Sequence, residues 1–361
     1  MHRTSTFMQA LTIAASVAAA PAVAQTDGFY RGKTVTILVG LEAGGTSDIF
    51  ARNFSQYLRK YIPGAPNIVV QNMPGGAGLV ATNYLAERAK PDGLTILWGP
   101  WDPLAQALGS AGGMRVRYEK LEYIGGTGDV RVNYARTDSI PDKIRKPSDI
   151  AKSPLVTLGE TNTTAISGLM GRLALDTLGI KNKLVIGYRG GADVFLALQR
   201  NEIQFHNTSI TTFRSRSAAF VKSGEGIGIN YYVPVDDKGV FERNKFITEM
   251  PAFPDLYVEI HGKMPSGPTW DALNWLTNQV GELTFIAFAP PGTPADVVSQ
   301  LRTAYEKASN DADFTQESMK QNAIPYSFVG LERGSSILRS LAEVSPAVLD
   351  TLKKTIEAPQ P

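Results

Sequence analysis

Residues 34–48 read TVTILVGLEAGGTSD, and this stretch decides the fold. Residues 34–39 form a short apolar run rich in β-branched side chains, which predicts a buried strand. Residues 40–45 have the composition of a turn, and Thr46 or Ser47 can cap the helix that follows. Backbone N–H groups left free at such a helix start, together with the positive end of the helix dipole, favour an anion. Because the turn has no lysine, we expect it to hold a carboxylate or similar group rather than a nucleoside triphosphate.

The first 24 residues have the pattern of a secretory signal peptide. Arg3 supplies the positive start, and the apolar stretch from Met8 to Ala20 is too short to span a bilayer. Ala-Val-Ala at 22–24 is a cleavage pattern, and no cysteine follows it that could carry a lipid anchor. We therefore expect export to the periplasm, with cleavage after Ala24.

Composition excludes several classes of protein. Hydrophobic residues make up 43% of the chain, which is enough for a sizeable core. The formal net charge of +2 gives no electrostatic footprint for nucleic acid. Cysteine is absent, so there is no disulfide framework, and no His or Cys spacing indicates a metal site.

The chain reads as two successive βαβαβ units followed by a return to the same pattern. The predicted strands are 34–39, 67–71, 94–98, 155–158, 184–187, 203–205 and 283–288. We predict an α/β fold of two domains, each a mostly parallel sheet flanked by helices, with ligands at the carboxyl ends of strands. Residues 25–126 and 235–361 form the predicted domain 1, and residues 127–234 form domain 2.

Residues 236–280 are the least regular part of the sequence. This segment is rich in proline and predicts an irregular excursion with one short helix from Trp270. It either covers the rim of the cleft or packs on the surface.

Five short segments carry a family resemblance through their order and spacing. They are 33–39 with Gly44 and 48–52, then 69–78, 91–97, 187–190 with 197–203, and 289–294. In this arrangement the chain resembles the periplasmic receptors of tripartite tricarboxylate transporters, the Bug-type solute-binding proteins. The resemblance implies a two-lobed Venus-flytrap fold without catalysis or cofactor. It also implies a receptor that catches a small organic acid and presents it to membrane subunits. A monomer is our default expectation.

The resemblance also implies which loops contact the ligand. First-lobe loops hold a ligand carboxylate through backbone N–H groups and ordered waters, and second-lobe loops meet the other end of the ligand. The first-lobe candidates are Glu42, Ala43, Gly44, Gly45, Thr46, Ser47, Pro100, Trp101 and Asp102. The second-lobe candidates are Asn162, Thr163, Thr164, Arg189, Asn207 and Thr208.

The chain departs from the family pattern at two of these loops. Glu42 and the pair Trp101–Asp102 stand where small or hydroxyl residues are usual. Two acidic groups near an anion site would repel a dicarboxylate. If either one enters the cleft, the ligand carries an amine or an aromatic ring instead.

Most candidates also have a purely structural interpretation. Gly44 and Gly45 can serve only the turn, and residues 46–47 or 162–164 can serve only as helix caps. Asp48 is expected to act structurally in the first helical turn. Trp101 either stacks on a ligand ring or fills the core. Arg189 either bonds a carboxylate or pairs with Asp193.

Two rival functions remain at this stage. Residues 76–81 fit the G-x-G-x-x-A pattern of a dinucleotide-dependent oxidoreductase, but they follow the second predicted strand. No acidic residue ends the next strand within 94–98, which weakens that interpretation. The sequence contains no G-x-S-x-G motif, which argues against a hydrolase, and we interpret His206 as a packed side chain. A ligand-sensing protein not coupled to transport needs the same cleft, so sequence leaves it open.

Overall fold

The computed structural model describes residues 28–358, except for residues 45, 110–112 and 237. The predicted signal peptide and its cleavage site lie outside the described residues. Within the described part of the chain, no helix is both long and apolar enough to cross a membrane.

Strands and helices alternate along most of the chain. The strands are β1 (Thr34–Val39), β2 (Asn67–Asn72), β3 (Thr95–Pro100), β4 (Glu122–Gly128), β5 (Arg131–Arg136), β6 (Val156–Glu160), β7 (Asn182–Ile186), β8 (Phe205–Ser209), β9 (Gly226–Tyr231), β10 (Phe285–Ala289) and β11 (Ser327–Val329). The helices are α1 (Thr46–Tyr61), α2 (Leu79–Glu87), α3 (Pro103–Ala107), α4 (Ile166–Thr177), α5 (Gly191–Gln199), α6 (Ile210–Arg216), α7 (Ala218–Lys222), α8 (Phe253–His261), α9 (Pro268–Leu276), α10 (Ala295–Ser309), α11 (Ala312–Asn322), α12 (Leu331–Ser340) and α13 (Pro346–Glu357).

The strands form two mixed sheets. The first sheet has the order β11-β4-β10-β3-β1-β2, and the second has the order β7-β6-β8-β5-β9. The predicted parallel pairs are present on one side of each sheet, where β1 pairs with β2 and β3, and β6 pairs with β7 and β8. The other side of each sheet is antiparallel.

Burial on both faces explains why β1 is almost wholly apolar. Val35, Ile37 and Val39 belong to an apolar cluster that includes α1 and α10 side chains. Leu38 points to the opposite face and joins a second cluster with residues of α2 and α12. A strand covered on both sides reads as a continuous hydrophobic run, as the sequence indicated.

Strand directions place the carboxyl edges of the two sheets face to face. β10 is antiparallel to both β3 and β4, so β4 ends at the same edge as β1 and β3. Only Asp129 and Val130 separate β4 from β5. β5 starts at the edge where β8 and β9 end, because it is antiparallel to both. The crossing between the two sheets is therefore two residues long.

Residues 236–280 contain more regular structure than the sequence predicted. They hold α8 as well as α9, and apolar side chains of both helices lie in the core cluster of the second sheet. Val348 and Leu352 of α13 join that cluster too. These helices therefore share a core with the second sheet, whereas the predicted division of the chain assigns them to domain 1. That division stays a prediction.

Candidate functional site

The glycine turn after β1 is held by a buried carboxylate. Asp48, which is 3% exposed, accepts a hydrogen bond from the Gly44 N–H at 2.8 Å. Arg52 donates from Nε to the same oxygen at 3.1 Å and pairs with the other at 2.9 Å. Asn72 accepts from Arg52 and donates to the Leu41 carbonyl at 2.9 Å. The structural role predicted for Asp48 is therefore what the geometry shows.

This arrangement changes the electrostatics of the turn. The hydrogen bonds from Arg52 and from the Gly44 N–H lower the pKa of Asp48 to about 2, so the carboxylate is charged at neutral pH. The sequence suggested that the Gly44 N–H was free to bind an anionic ligand. In the structure it already donates to the Asp48 carboxylate. Gly44 has φ of 79°, a conformation that glycine adopts without strain.

The other candidates of this turn differ in exposure. Glu42 and Ala43 are exposed, whereas Ser47 is buried at the start of α1. Gly45 lies outside the described residues. Thr46 and Ser47 are the first two residues of α1, so they lie within the helix and not before it as its cap.

The candidates after β3 lie deeper than predicted. Pro100 is the last residue of β3 and pairs in register with Phe285, so it belongs to the strand rather than to a loop. Trp101 is 7% exposed, packs edge-on against Tyr118 and donates its indole N–H to the Leu283 carbonyl. Of its two interpretations, the structure shows the packed one. Asp102 is half-buried and donates its backbone N–H to the Tyr118 hydroxyl at 3.0 Å.

The loops after β6 and β7 lie side by side. The Gly187 N–H donates to the Thr161 carbonyl at 3.3 Å. Asn162 and Thr164 are exposed and Thr163 is half-buried, and the Asn162 side chain accepts from the Thr164 N–H at 2.9 Å. α4 begins only at Ile166, so these residues form a turn before the helix and not its cap.

Arg189 forms the surface ion pair that was one of its two interpretations. Its Nε lies 2.7 Å from Asp193, and the arginine side chain is 90% exposed. Its partner Asp193 lies in the first turn of α5, the helix that follows the loop.

Asn207 and Thr208 lie inside β8 and not in a loop, which corrects the sequence prediction. Asn207 is 2% exposed and stands opposite Asn133 of β5, to which it donates at 2.9 Å. Asn133 in turn donates to Asn230 of β9 at 2.9 Å and to the Tyr232 hydroxyl at 2.7 Å. The row of amides crosses three strands, and we call Asn207, Asn133 and Asn230 the amide row.

Charged groups join the amide row at the carboxyl edge. Arg131 donates from Nε to Asn207 at 2.8 Å, and Thr211 donates to Asp129 at 2.7 Å. Asp129 and Glu160 are both buried. Burial raises the pKa of each of these carboxyl groups, and hydrogen-bonding hydroxyls and the Arg131 charge oppose the rise. Sequence reasoning missed this cluster because its members come from strands far apart in the chain.

His206 is packed, as predicted. It is 5% exposed, and its Nδ1 lies 2.9 Å from the Tyr134 hydroxyl. Burial, with the Arg131 and Arg216 charges, lowers the pKa of His206 to about 3, so the ring is neutral at physiological pH.

A cavity of about 330 Å³ lies where helices from the two facing edges meet. α1 begins directly after β1 and its loop, and α6 begins directly after β8. We call this space the α1–α6 cavity, and α11 and Tyr326 complete its wall. Its lining includes Phe50, Asn53, Thr212, Ser215, Arg216 and Glu317. None of these was a sequence candidate. For the three residues of α6, the reason is that this short polar helix gave no hydrophobic periodicity.

A second cavity of about 560 Å³ adjoins the first at the crossing between the sheets. Thr211 and Tyr326 line both cavities. Asp129, Tyr232 and the loop 242–246 also line the larger one. The space between the sheets therefore extends from the starts of α1 and α6 to the crossing.

The glycine motif of the oxidoreductase alternative has a packing role. A Cβ atom on Gly40 would lie 2.7 Å from the Gly78 Cα, so the end of β1 and the start of α2 approach closely only without side chains. Among the described residues, no group of three His, Asp or Glu side chains is arranged to hold a metal ion.

The relatives found by sequence are proteins of the UPF0065 group, and no family model matches the chain. A UPF0065 protein of Bordetella pertussis is 27% identical over 320 residues, which is 84% of each chain. A UPF0065 protein of Agrobacterium vitis is 32% identical over 176 residues, which is 47% of this chain and 49% of the relative.

Solved structures resemble the chain over most of its length. A TctC solute-binding protein from Polaromonas has a TM-score of 0.64 and 18% identity, covering 90% of this chain and 99% of that one. The periplasmic binding protein BugD has a TM-score of 0.58 and 21% identity, covering 90% and 98%. MatC of Rhodopseudomonas palustris with bound malate has a TM-score of 0.58 and 18% identity, covering 90% and 99%.

These comparisons confirm two of the predictions. The chain has the two-lobed α/β fold of periplasmic binding proteins. Its homologues are UPF0065 proteins, and its structural neighbours are solute-binding proteins of the TctC and Bug type, as the resemblance in the sequence indicated.

Proposed function

We propose that this relative of the UPF0065 proteins is an exported receptor that captures a small carboxylate between its two lobes. It then presents the ligand to membrane subunits of a tripartite tricarboxylate-type transporter. The protein acts as a monomer and without catalysis. In this proposal domain 1, residues 25–126 and 235–361, carries the first sheet, and domain 2, residues 127–234, carries the second.

One observation carries this proposal. The carboxyl edges of both sheets face one space, and helices from both edges line the α1–α6 cavity. In α/β proteins ligands bind at that edge, and a volume of about 330 Å³ falls within the range of small-molecule pockets. The structural neighbour MatC was solved with malate bound, which supports a carboxylate as the class of ligand.

Contact between the ligand and the turn 42–47 is part of the proposal. The Gly44 N–H is engaged by Asp48, so we assign the anion to the neighbouring helix start, with Ser47 as its first described buried residue. On the opposite lobe, the residues after β6 and β7 flank the same edge. Trp101 packs in the core against Tyr118, so we assign it no ligand contact.

Calorimetry with the purified protein tests the binding function. The panel consists of malate, succinate, butyrate, amino acids and aromatic acids. We expect at least one carboxylate to bind, and Glu42→Ala to bind dianions more tightly than the wild type, because Glu42 is an exposed negative charge at the turn. Failure of every acid in the panel to bind would contradict the proposal.

Export and transport need separate measurements. The mass of the protein recovered from the periplasm should correspond to a chain that starts at Gln25. Ligand uptake by vesicles that contain the membrane subunits should depend on added receptor. Binding without any such dependence would favour the ligand-sensing alternative.

A further inference from the structure

The α1–α6 cavity has an asymmetric charge distribution. Among its lining residues, Arg216 is the only cation and Glu317 the only anion. Glu317 is already engaged, because it accepts hydrogen bonds from Tyr57 at 2.9 Å and from Gln321 at 2.8 Å. In the described part of the chain, the Arg216 guanidinium has no hydrogen-bond or ion-pair partner, although most other arginines here have one.

The surroundings of Arg216 suit an anion. Thr212 lies one helical turn before Arg216 and lines the same cavity, so a hydroxyl group shares the arginine's side of the helix, whereas the Ser215 hydroxyl already donates to the Thr211 carbonyl. A Cβ atom on Gly191 would lie 4.0 Å from Arg216 Nη1, which places the guanidinium beside the first residue of α5. The start of a helix is itself electropositive, so a second positive feature lies near the guanidinium.

The position of Arg216 also fits the geometry of the cleft. It is the last residue of α6, on the second sheet's side, whereas Ile49, Phe50 and Asn53 of α1 line the cavity from the first sheet's side. The proposed first carboxylate site at Ser47 lies two residues before Ile49 in the same helix. Phe50 and Tyr326 pack edge-on, with 4.6 Å between their ring centroids, and give the cavity an aromatic wall. A ligand with an apolar chain and a carboxylate at each end suits a cavity that combines this wall with a cation.

From this arrangement we infer that Arg216 binds the second carboxylate of a dicarboxylate ligand and sets the preference for dianions over monoanions. This inference rests on the proposed function, and it assigns to Arg216 the role that the resemblance gave to the loop of Arg189. The guanidinium can bond both oxygens of a carboxylate at once, which an amide or ammonium does less well.

Calorimetry with a matched pair of four-carbon acids tests the inference. We expect Arg216→Gln to weaken the binding of succinate about ten- to hundredfold, the range for loss of a charge-assisted bond. The affinity for butyrate, which lacks the second carboxylate, should change by no more than about twofold on the same argument. Arg216→Lys should recover part of the loss for succinate.

Arg200→Gln is the matched control. Arg200 is an exposed arginine of the same lobe, it was never a candidate for ligand contact, and its charge is already paired with Glu202. We expect this variant to bind both acids like the wild type, and all variants to melt at the wild-type temperature.

The outcomes separate this inference from the proposed function. Equal succinate affinity of wild type and Arg216→Gln overturns the role of Arg216 and leaves the receptor function standing. If the wild-type protein binds butyrate or an amino acid but no dicarboxylate, the role of Arg216 is likewise overturned and the receptor function still stands. A wild-type protein that binds no acid overturns both.

Discussion

At the carboxyl edge of the first sheet, three aromatic rings are stacked, whereas the corresponding part of the second sheet carries the amide row. Phe50 lies 5.0 Å from Trp98 and 5.2 Å from Phe285, measured between ring centroids. In the second sheet, Asn133 joins Asn207 and Asn230 through hydrogen bonds of 2.9 Å. The aromatic stack is stabilised by burial and shape, while the amide row depends on every partner being present.

This difference indicates that the two lobes have different roles in ligand binding. The first lobe presents a turn whose internal carboxylate, Asp48, already satisfies the Gly44 N–H and holds the backbone in place. The second lobe presents side chains with polar groups at its edge, and Arg216 among them is unpaired within the described residues. We therefore expect the first lobe to supply rigidity and the second to supply discrimination between ligands.

The largest effect is expected from Trp101→Ala in the first lobe. Removal of a buried tryptophan leaves a cavity, and such changes cost about 3–5 kcal/mol in the free energy of unfolding. Trp101→Phe should cost less, because it keeps most of the apolar contact. Chemical denaturation measures both. A variant with wild-type stability and lost ligand affinity would instead place Trp101 in the wall of the binding site.

A smaller loss is expected from Asn133→Ala in the second lobe. This change removes the partner of Asn207, Asn230 and Tyr232 at once, and buried polar groups left unpaired cost about 1–3 kcal/mol each when no water replaces the partner. We expect a net loss of about 2–3 kcal/mol. Asn162→Ala, at an exposed amide, is the control and should change stability by less than about 0.5 kcal/mol. If the two variants are equally stable, the amide row does not hold the second lobe together.

The smallest effect is expected from Asp48→Asn, at about 1 kcal/mol, because the amide oxygen can still accept from the Gly44 N–H. Its signature is a dependence on pH. The folded-state pKa of Asp48 is about 2, below the ordinary value of 3.8. The stabilisation is therefore fully present above pH 4 and is lost as the pH falls toward 2.

Thermal melting of wild type and Asp48→Asn across this range checks the prediction. The difference in melting temperature should be constant at neutral pH and shrink below pH 4. A difference that does not change with pH would show that the charge of Asp48 contributes nothing to the turn.

Local signals in the sequence were sufficient for the elements around the first turn. The β-branched run and the glycine turn predicted β1 with its correct bounds and α1 to within a residue. Asp48 was expected to act structurally, because an acidic side chain in a first turn is common. Its bond to Gly44 spans only four residues, which is why local reasoning reached it.

Long-range partners decided what the sequence did not reveal. The family resemblance placed residues 207–208 in a loop, but Asn207 lies in a strand, where its partners Asn133 and Arg131 come from 74 and 76 residues away. The polar helix α6 is held by the crossing at Val130, whose carbonyl accepts from the Ile210 N–H at 2.7 Å. No pattern within the helix itself indicates that contact.

The exposed position of Ser215 in the α1–α6 cavity offers a practical use. The whole sequence contains no cysteine, so Ser215→Cys would introduce a single thiol, and any thiol-reactive dye would attach at that one place. A solvent-sensitive fluorophore there would sit between the lobes, on the helix that carries Arg216. The proposed receptor could then report the concentration of its ligand as a change in emitted light.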